Sequence, residues 1–108
     1  VRALGLLLAL VLTLAAAWAQ ELYVINEDGR RLTLPCQQQD RVVVNGSWNS
    51  IFLEGPCHTL VLNGDGNQVE ARAPLQEVRL NGDGNRVRCR PPEPRLTDLG
   101  KGNQCSVR

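Results

Sequence analysis

Several kinds of chemistry are poorly supplied in this chain. It has one histidine, His58, and its 4 cysteines include no Cys-x-x-Cys pair. Acid–base and nucleophilic catalysis need groups that converge at hydrogen-bond reach. No Ser-His-Asp spacing occurs, and Ser47, Ser50 and Ser106 read as turn, strand-surface and tail residues. Charge of one sign is lacking too. The formal net charge is +1, from 12 basic and 11 acidic residues, and the two signs balance once Arg2 is set aside. Nothing therefore directs the chain to nucleic acid or to an anionic membrane. No segment after residue 20 carries a helical period, which excludes a helical core.

Long apolar runs are also missing, with one short exception. Leu4 to Ala17 is apolar apart from Gly5 and Thr13, too short for a comfortable membrane span. With Arg2 before it and Ala17-Trp18-Ala19 after it, the run has the pattern of a secretion signal. Residues 1–19 are accordingly expected to be a signal peptide, with Gln20 the first mature residue. The remainder is expected to be secreted or periplasmic, without stable membrane insertion. No cysteine stands at the cleavage point for lipid attachment.

What the chain does have is a repeat. Asn-Gly-Asp-Gly-Asn occurs at 63–67 and 81–85, and a degenerate copy, Asn45-Gly46-Ser47-Trp48-Asn49, precedes them at the same spacing. A fixed short period is the mark of a stacked solenoid. Alternating stretches flank each copy: Val42 and Val44 correspond to Leu60 and Leu62, then to Val78 and Leu80. Beyond the turn, Ile51 and Leu53 correspond to Val69 and Ala71, then to Val87 and Cys89. Period-two alternation predicts strands with one buried face. Hairpins compete, since Asn-Gly and Asp-Gly are hairpin turns, but the constant step favours an all-β parallel solenoid of about four coils.

The coils fall near 22–36, 41–54, 59–72 and 77–90, making residues 20–94 the solenoid. Pro91, Pro92 and Pro94 are expected to stop strand pairing, leaving 95–108 as a tail or cap with little regular structure. Stacking would turn Asn45, Asn63 and Asn81 into one ladder and Asn49, Asn67 and Asn85 into another. Gly46, Gly64 and Gly82 would supply positive φ or close approach at the corner. Opposite charges such as Glu70 and Arg88 would meet on neighbouring coils, fixing register more than adding stability.

Four cysteines allow three pairings. Cys36 and Cys57 each follow a proline at the end of a β unit, and Cys89 holds an inward position beneath the tail that carries Cys105. The favoured pairing is Cys36–Cys57 with Cys89–Cys105, in keeping with export. Zinc on the cysteines and His58 is the rival, disfavoured by the missing Cys-x-x-Cys. Asp65 and Asp83 are weak calcium candidates: Asn-x-Asp-x-Asn has the first three ligand types of an EF-hand loop, but its glycine and its terminal glutamate are missing. Solvated turn residues are the plainer reading. No metal or other cofactor is expected.

Trp48 stands where later copies have Gly66 and Gly84, and Phe52 where they have Glu70 and Arg88. Both are expected to project outward beside Val43 and Val61 as a binding surface, unless the N-terminal segment or the tail covers them.

The units of type V-x-V-x-G-x-x-N-x-V, with a Cys after the first and another after the next, resemble the bacterial domain of unknown function 3060 family. The resemblance runs from about Leu22 to Arg90, and the tail departs from it. It implies an exported bacterial protein with a small β-solenoid and no established activity, so no catalytic residue can be carried over. The expected role is a non-enzymatic structural or binding module of the cell envelope. Its partner would be an unknown envelope protein or a glycan, and end-to-end oligomerisation is open. A calcium-stabilised adhesion module and a minimal polysaccharide-active enzyme are the alternatives.

Overall fold

The computed structural model describes residues 20–107, so the expected signal peptide, residues 1–19, lies outside the described residues. These form ten short strands and no helix. The odd strands are β1 (Leu22–Ile25), β3 (Arg41–Val44), β5 (Thr59–Leu62), β7 (Glu77–Leu80) and β9 (Arg95–Asp98). The even strands are β2 (Arg31–Leu34), β4 (Ser50–Leu53), β6 (Gln68–Ala71), β8 (Arg86–Cys89) and β10 (Gln104–Val107). Odd strands pair in the order β1-β3-β5-β7-β9 and even strands in the order β10-β8-β6-β4-β2. Every pairing is parallel. The hairpin alternative fails on that point, because a hairpin pairs consecutive strands antiparallel.

Register follows the repeat. Val42 pairs with Leu60 and Leu60 with Val78, while Ile51 pairs with Val69 and Val69 with Val87. These residues are buried, and with Val44, Leu53, Leu62 and Leu80 they make one core shared by both sheets. Each fully buried Val or Leu contributes about 1.5–3 kcal/mol relative to exposure. A one-residue slip would turn the whole set outward, so the alternation itself holds the register. The first step is one residue longer, Leu22 pairing with Arg41. The extra residue falls in the connector after β2, where Asp40 is buried and accepts hydrogen bonds from the backbone N–H of Glu21 (2.9 Å) and of Gln37 (2.7 Å).

The array has five coils, not four. The segment after Arg90, expected to be an irregular cap, forms β9 and β10, which pair with β7 and β8. The prolines do not block this, because Pro91, Pro92 and Pro94 occupy the connector between β8 and β9, as Pro56 and Pro74 occupy the connectors before them. A connector needs no ladder bond from the missing N–H, and pairing resumes with Arg95 N–H donating to Gln76 O at 2.9 Å. The signal for this coil was present: Gly100, Gly102 and Asn103 repeat Gly82, Gly84 and Asn85 at the same step. Leu99 and Lys101 replace the Asn and Asp and conceal it.

Candidate functional site

The turn between odd and even strands is the most regular feature. Its outer Asn side chains bond one to the next: Asn45 Nδ2 donates to Asn26 Oδ1 (2.7 Å), Asn63 Nδ2 to Asn45 Oδ1 (2.8 Å) and Asn81 Nδ2 to Asn63 Oδ1 (2.7 Å). The inner Asn residues work differently. Asn49, Asn67 and Asn85 are buried, and their amides bond backbone instead of each other. Asn67 Oδ1 accepts from Asn49 N–H (2.9 Å), and its Nδ2 donates to Gly46 O (3.0 Å). Asn85 repeats this on Asn67 N–H (2.9 Å) and Gly64 O (2.9 Å), and Asn103 on Asn85 N–H and Gly82 O, both 2.8 Å. Among the described residues no buried side-chain polar atom lacks a partner, as burial requires.

The two glycines of each turn have separate tasks. A β-carbon on Gly64 would stand 1.9 Å from the Gly46 carbonyl oxygen, and one on Gly82 would stand 2.0 Å from that of Gly64. That column therefore serves close approach. Positive φ belongs to the other column, Gly29, Gly66, Gly84 and Gly102. Trp48 occupies that second column, with φ at 61°. Its ring lies flat on the next coil, so that a β-carbon on Gly66 would come within 2.6 Å of Trp48 Cε3. It is 72% exposed. An L-residue in the left-handed region costs roughly 1–2 kcal/mol, and this one holds the conformation in the open.

Phe52 does not share a patch with Val43 and Val61. Those valines lie on the odd-strand sheet, whereas Phe52 is half-buried on the outer face of the even-strand sheet, paired with Thr33 and Glu70. Reading outward positions without knowing which sheet each strand joins merged two surfaces into one. Nor does the tail cover Trp48, since it builds the fifth coil beyond β7 and β8. The outer face of the even-strand sheet holds a groove of about 770 Å³, lined from Arg31 on β2 to Ser106 on β10. The aligned charges on it do not pair: among the described residues the one ion pair is Arg30 with Glu27, both exposed on the first turn. Strand spacing brings Glu70 beside Arg88 in register, but the side chains are not held together.

The cysteines form two pairs at different places. Cys36 and Cys57 are joined as a disulfide with a Cα–Cα distance of 4.9 Å. Cys89 and Cys105 are brought together across β8 and β10 but remain thiols, their sulfurs 3.2 Å apart. With the Cys89 S–H as donor, that hydrogen bond lowers the pKa of the Cys105 thiol below its ordinary value. The same bond, followed by burial, raises Cys89. A zinc site on all four is ruled out by the disulfide, which consumes two of the ligands. His58 is elsewhere, its Nδ1 2.7 Å from the Thr59 hydroxyl in a recess with Arg41 and Glu77.

Asp65 and Asp83 lie in one column of the turn with Asp28 and Ser47, exposed at the three aspartates and half-buried at Ser47. Asp65 Oδ1 accepts from Asp83 N–H (2.8 Å) and Asp83 Oδ1 from Lys101 N–H (2.8 Å). One oxygen of each is thus committed to the next coil. Among the described residues no group of three or more His, Cys, Asp or Glu side chains converges as a metal site would require.

Parallel strands stacked at a fixed step, with ladders at the turn, define a β-solenoid repeat protein. The chain belongs to the family described as protein of unknown function DUF3060, which residues 44–102 match. The match extends to residue 102, in the turn of the fifth coil, so residues 91–102 are part of the family pattern and not a departure from it, while residues 22–43 and Cys105 lie outside the matched span. No curated protein and no solved structure matches the chain.

Proposed function

We propose that this chain is an exported, non-enzymatic binding module of the bacterial cell envelope, with Trp48 as its contact point for an envelope protein or a glycan. The observation that carries this reading is Trp48 itself. Four other coils place glycine at its position, where left-handed φ is free of strain. Here a large aromatic side chain bears that strain and stays 72% exposed. The turn requires left-handed φ but no side chain at this position, and an exposed indole kept there at the cost of strain supports a use outside the fold. Export rests on the pattern of residues 1–19 and suits a stabilising disulfide. The non-enzymatic reading rests on the scarcity of converging acid–base groups.

Trp48→Gly is the test, because it restores the residue the other coils carry. Far-UV circular dichroism should be unchanged, while retention on envelope fractions and glycan arrays falls at least tenfold. Equal retention by the folded variant would refute Trp48 as the contact.

A further inference from the structure

We infer that the outer face of the even-strand sheet is a groove for a linear acidic glycan, a polymer of uronate-type sugars lying along the solenoid axis. The inference goes beyond the Trp48 reading, since Trp48 is on the turn and does not line this groove. All five even strands contribute, each with two outward side chains. Strands in a sheet are about 4.8 Å apart, so five of them offer a track roughly 19 Å long. The groove is open and continuous along that track, with a volume of about 770 Å³.

Its charge is what selects the ligand. Arg31, Arg86 and Arg88 face it against one acid, Glu70, on a chain whose charges otherwise nearly balance. None of the three arginines is in an ion pair among the described residues. Arg86 and Arg88 project from one face of β8, two residues apart. A guanidinium fork matches a carboxylate in two parallel hydrogen bonds, and two neighbouring forks suit acidic groups repeated along a chain. Between and beyond them stand Ser50, Gln68, Gln104 and Ser106. Hydroxyls and amides both donate and accept, which fits a polymer rich in hydroxyl groups. Phe52 offers a half-buried ring on which the apolar face of a pyranose can rest. Nucleic acid fits less well. Its binding draws on many phosphate contacts and on serial base stacking, and the groove has three cations, an opposing glutamate and one aromatic ring.

Affinity electrophoresis with polygalacturonate in the gel is the direct assay, run beside its methyl ester, dextran and single-stranded DNA. Polygalacturonate should retard the protein, with little effect from the ester or from dextran and weaker retardation by DNA. The Arg86→Gln/Arg88→Gln variant should raise the apparent Kd at least tenfold, and Arg31→Gln by a smaller factor. All three positions are exposed, and circular dichroism verifies the fold of each variant. Arg41→Gln, an exposed arginine on the odd-strand sheet and outside the groove, should change this Kd less than twofold. No retardation by polygalacturonate overturns the inference, as does equal retardation by the ester or by DNA. Unchanged affinity of the folded double variant also overturns it. If Trp48→Gly abolishes glycan binding while the arginine variants do not, the groove assignment fails and the Trp48 reading stands.

Discussion

Alanine at Gly82 and alanine at Gly84 should have unequal costs, although the sites are two residues apart in one turn. At Gly84 φ is +66° and nothing lies within 4 Å of the added methyl. The cost there is left-handed strain alone, about 1–2 kcal/mol. At Gly82 the methyl would stand 2.0 Å from the Gly64 carbonyl oxygen, about 1.4 Å short of the 3.4 Å at which ordinary contact begins. Backbone cannot turn aside as a side chain can, so the third and fourth coils must part at this corner. Of the hydrogen bonds that cross the gap, four involve Asn81, Gly82 or the Gly64 carbonyl. Asn81 N–H (2.9 Å) and Gly82 N–H (3.3 Å) both donate to Leu62 O. Asn81 Nδ2 donates to Asn63 Oδ1 (2.7 Å) and Asn85 Nδ2 to Gly64 O (2.9 Å). Lengthened by that much they pass the useful range, and at about 1 kcal/mol net each the loss is roughly 3–4 kcal/mol. A domain of this size has about 5–15 kcal/mol in all. Urea unfolding followed by circular dichroism should therefore show a small fall in midpoint for Gly84→Ala and a large one for Gly82→Ala, at similar slope. Equal midpoints, or the reverse order, would refute close approach as the reason for the Gly82 column.

The cysteines supply two further predictions. Cys36→Ser should destabilise by about 3 kcal/mol, as expected for loss of a crosslink over this span, and an unchanged urea midpoint would contradict it. In protein handled without oxidant, iodoacetamide should label Cys105 before the buried Cys89, read by peptide mass. Unfolded, both thiols titrate near 8.5, whereas in the fold Cys105 ionises earlier and Cys89 later. Stability of the reduced pair should rise with pH from the lowered Cys105 value up to the ordinary thiol range and fall above it. Cys105→Ser should abolish the rising limb and reduce the falling one, which keeps the part due to burial of Cys89, and a variant that kept the rising limb would place the titration elsewhere.

Legibility differed between the fold and the site, for physical reasons. Strand positions and inward residues could be read because alternation and step length are properties of the chain itself. Val42, Leu60 and Val78 align in sequence and pair in space. The fifth coil escaped because its turn keeps only Gly100, Gly102 and Asn103 of the repeated pattern, while the prolines before it suggested a stop. Phe52 was misplaced because alternation tells inside from outside but not which of two sheets carries the outside. The groove lined by Arg31 and Arg88 depends on that distinction. Asp40 gave no signal, since its burial follows from one extra residue in one connector. The different roles of the two Asn ladders were also hidden, because sequence shows that a column is Asn but not whether its amides meet each other or the backbone.

The inner Asn ladder has a consequence for heredity. Asn67, Asn85 and Asn103 each fasten their own coil only to the one before it, through the same two bonds every time. Removing or duplicating one unit of 18 residues joins surfaces already shaped for each other. Two of the turns are identical in sequence, at 63–67 and 81–85, so losing or gaining one unit between them would leave the turn motif intact. Such a change would keep the same two Asn bonds at the new joint, and each added coil would lengthen the outer groove by one strand and two side chains. The reach of this surface is thus a trait that descent can adjust in whole steps.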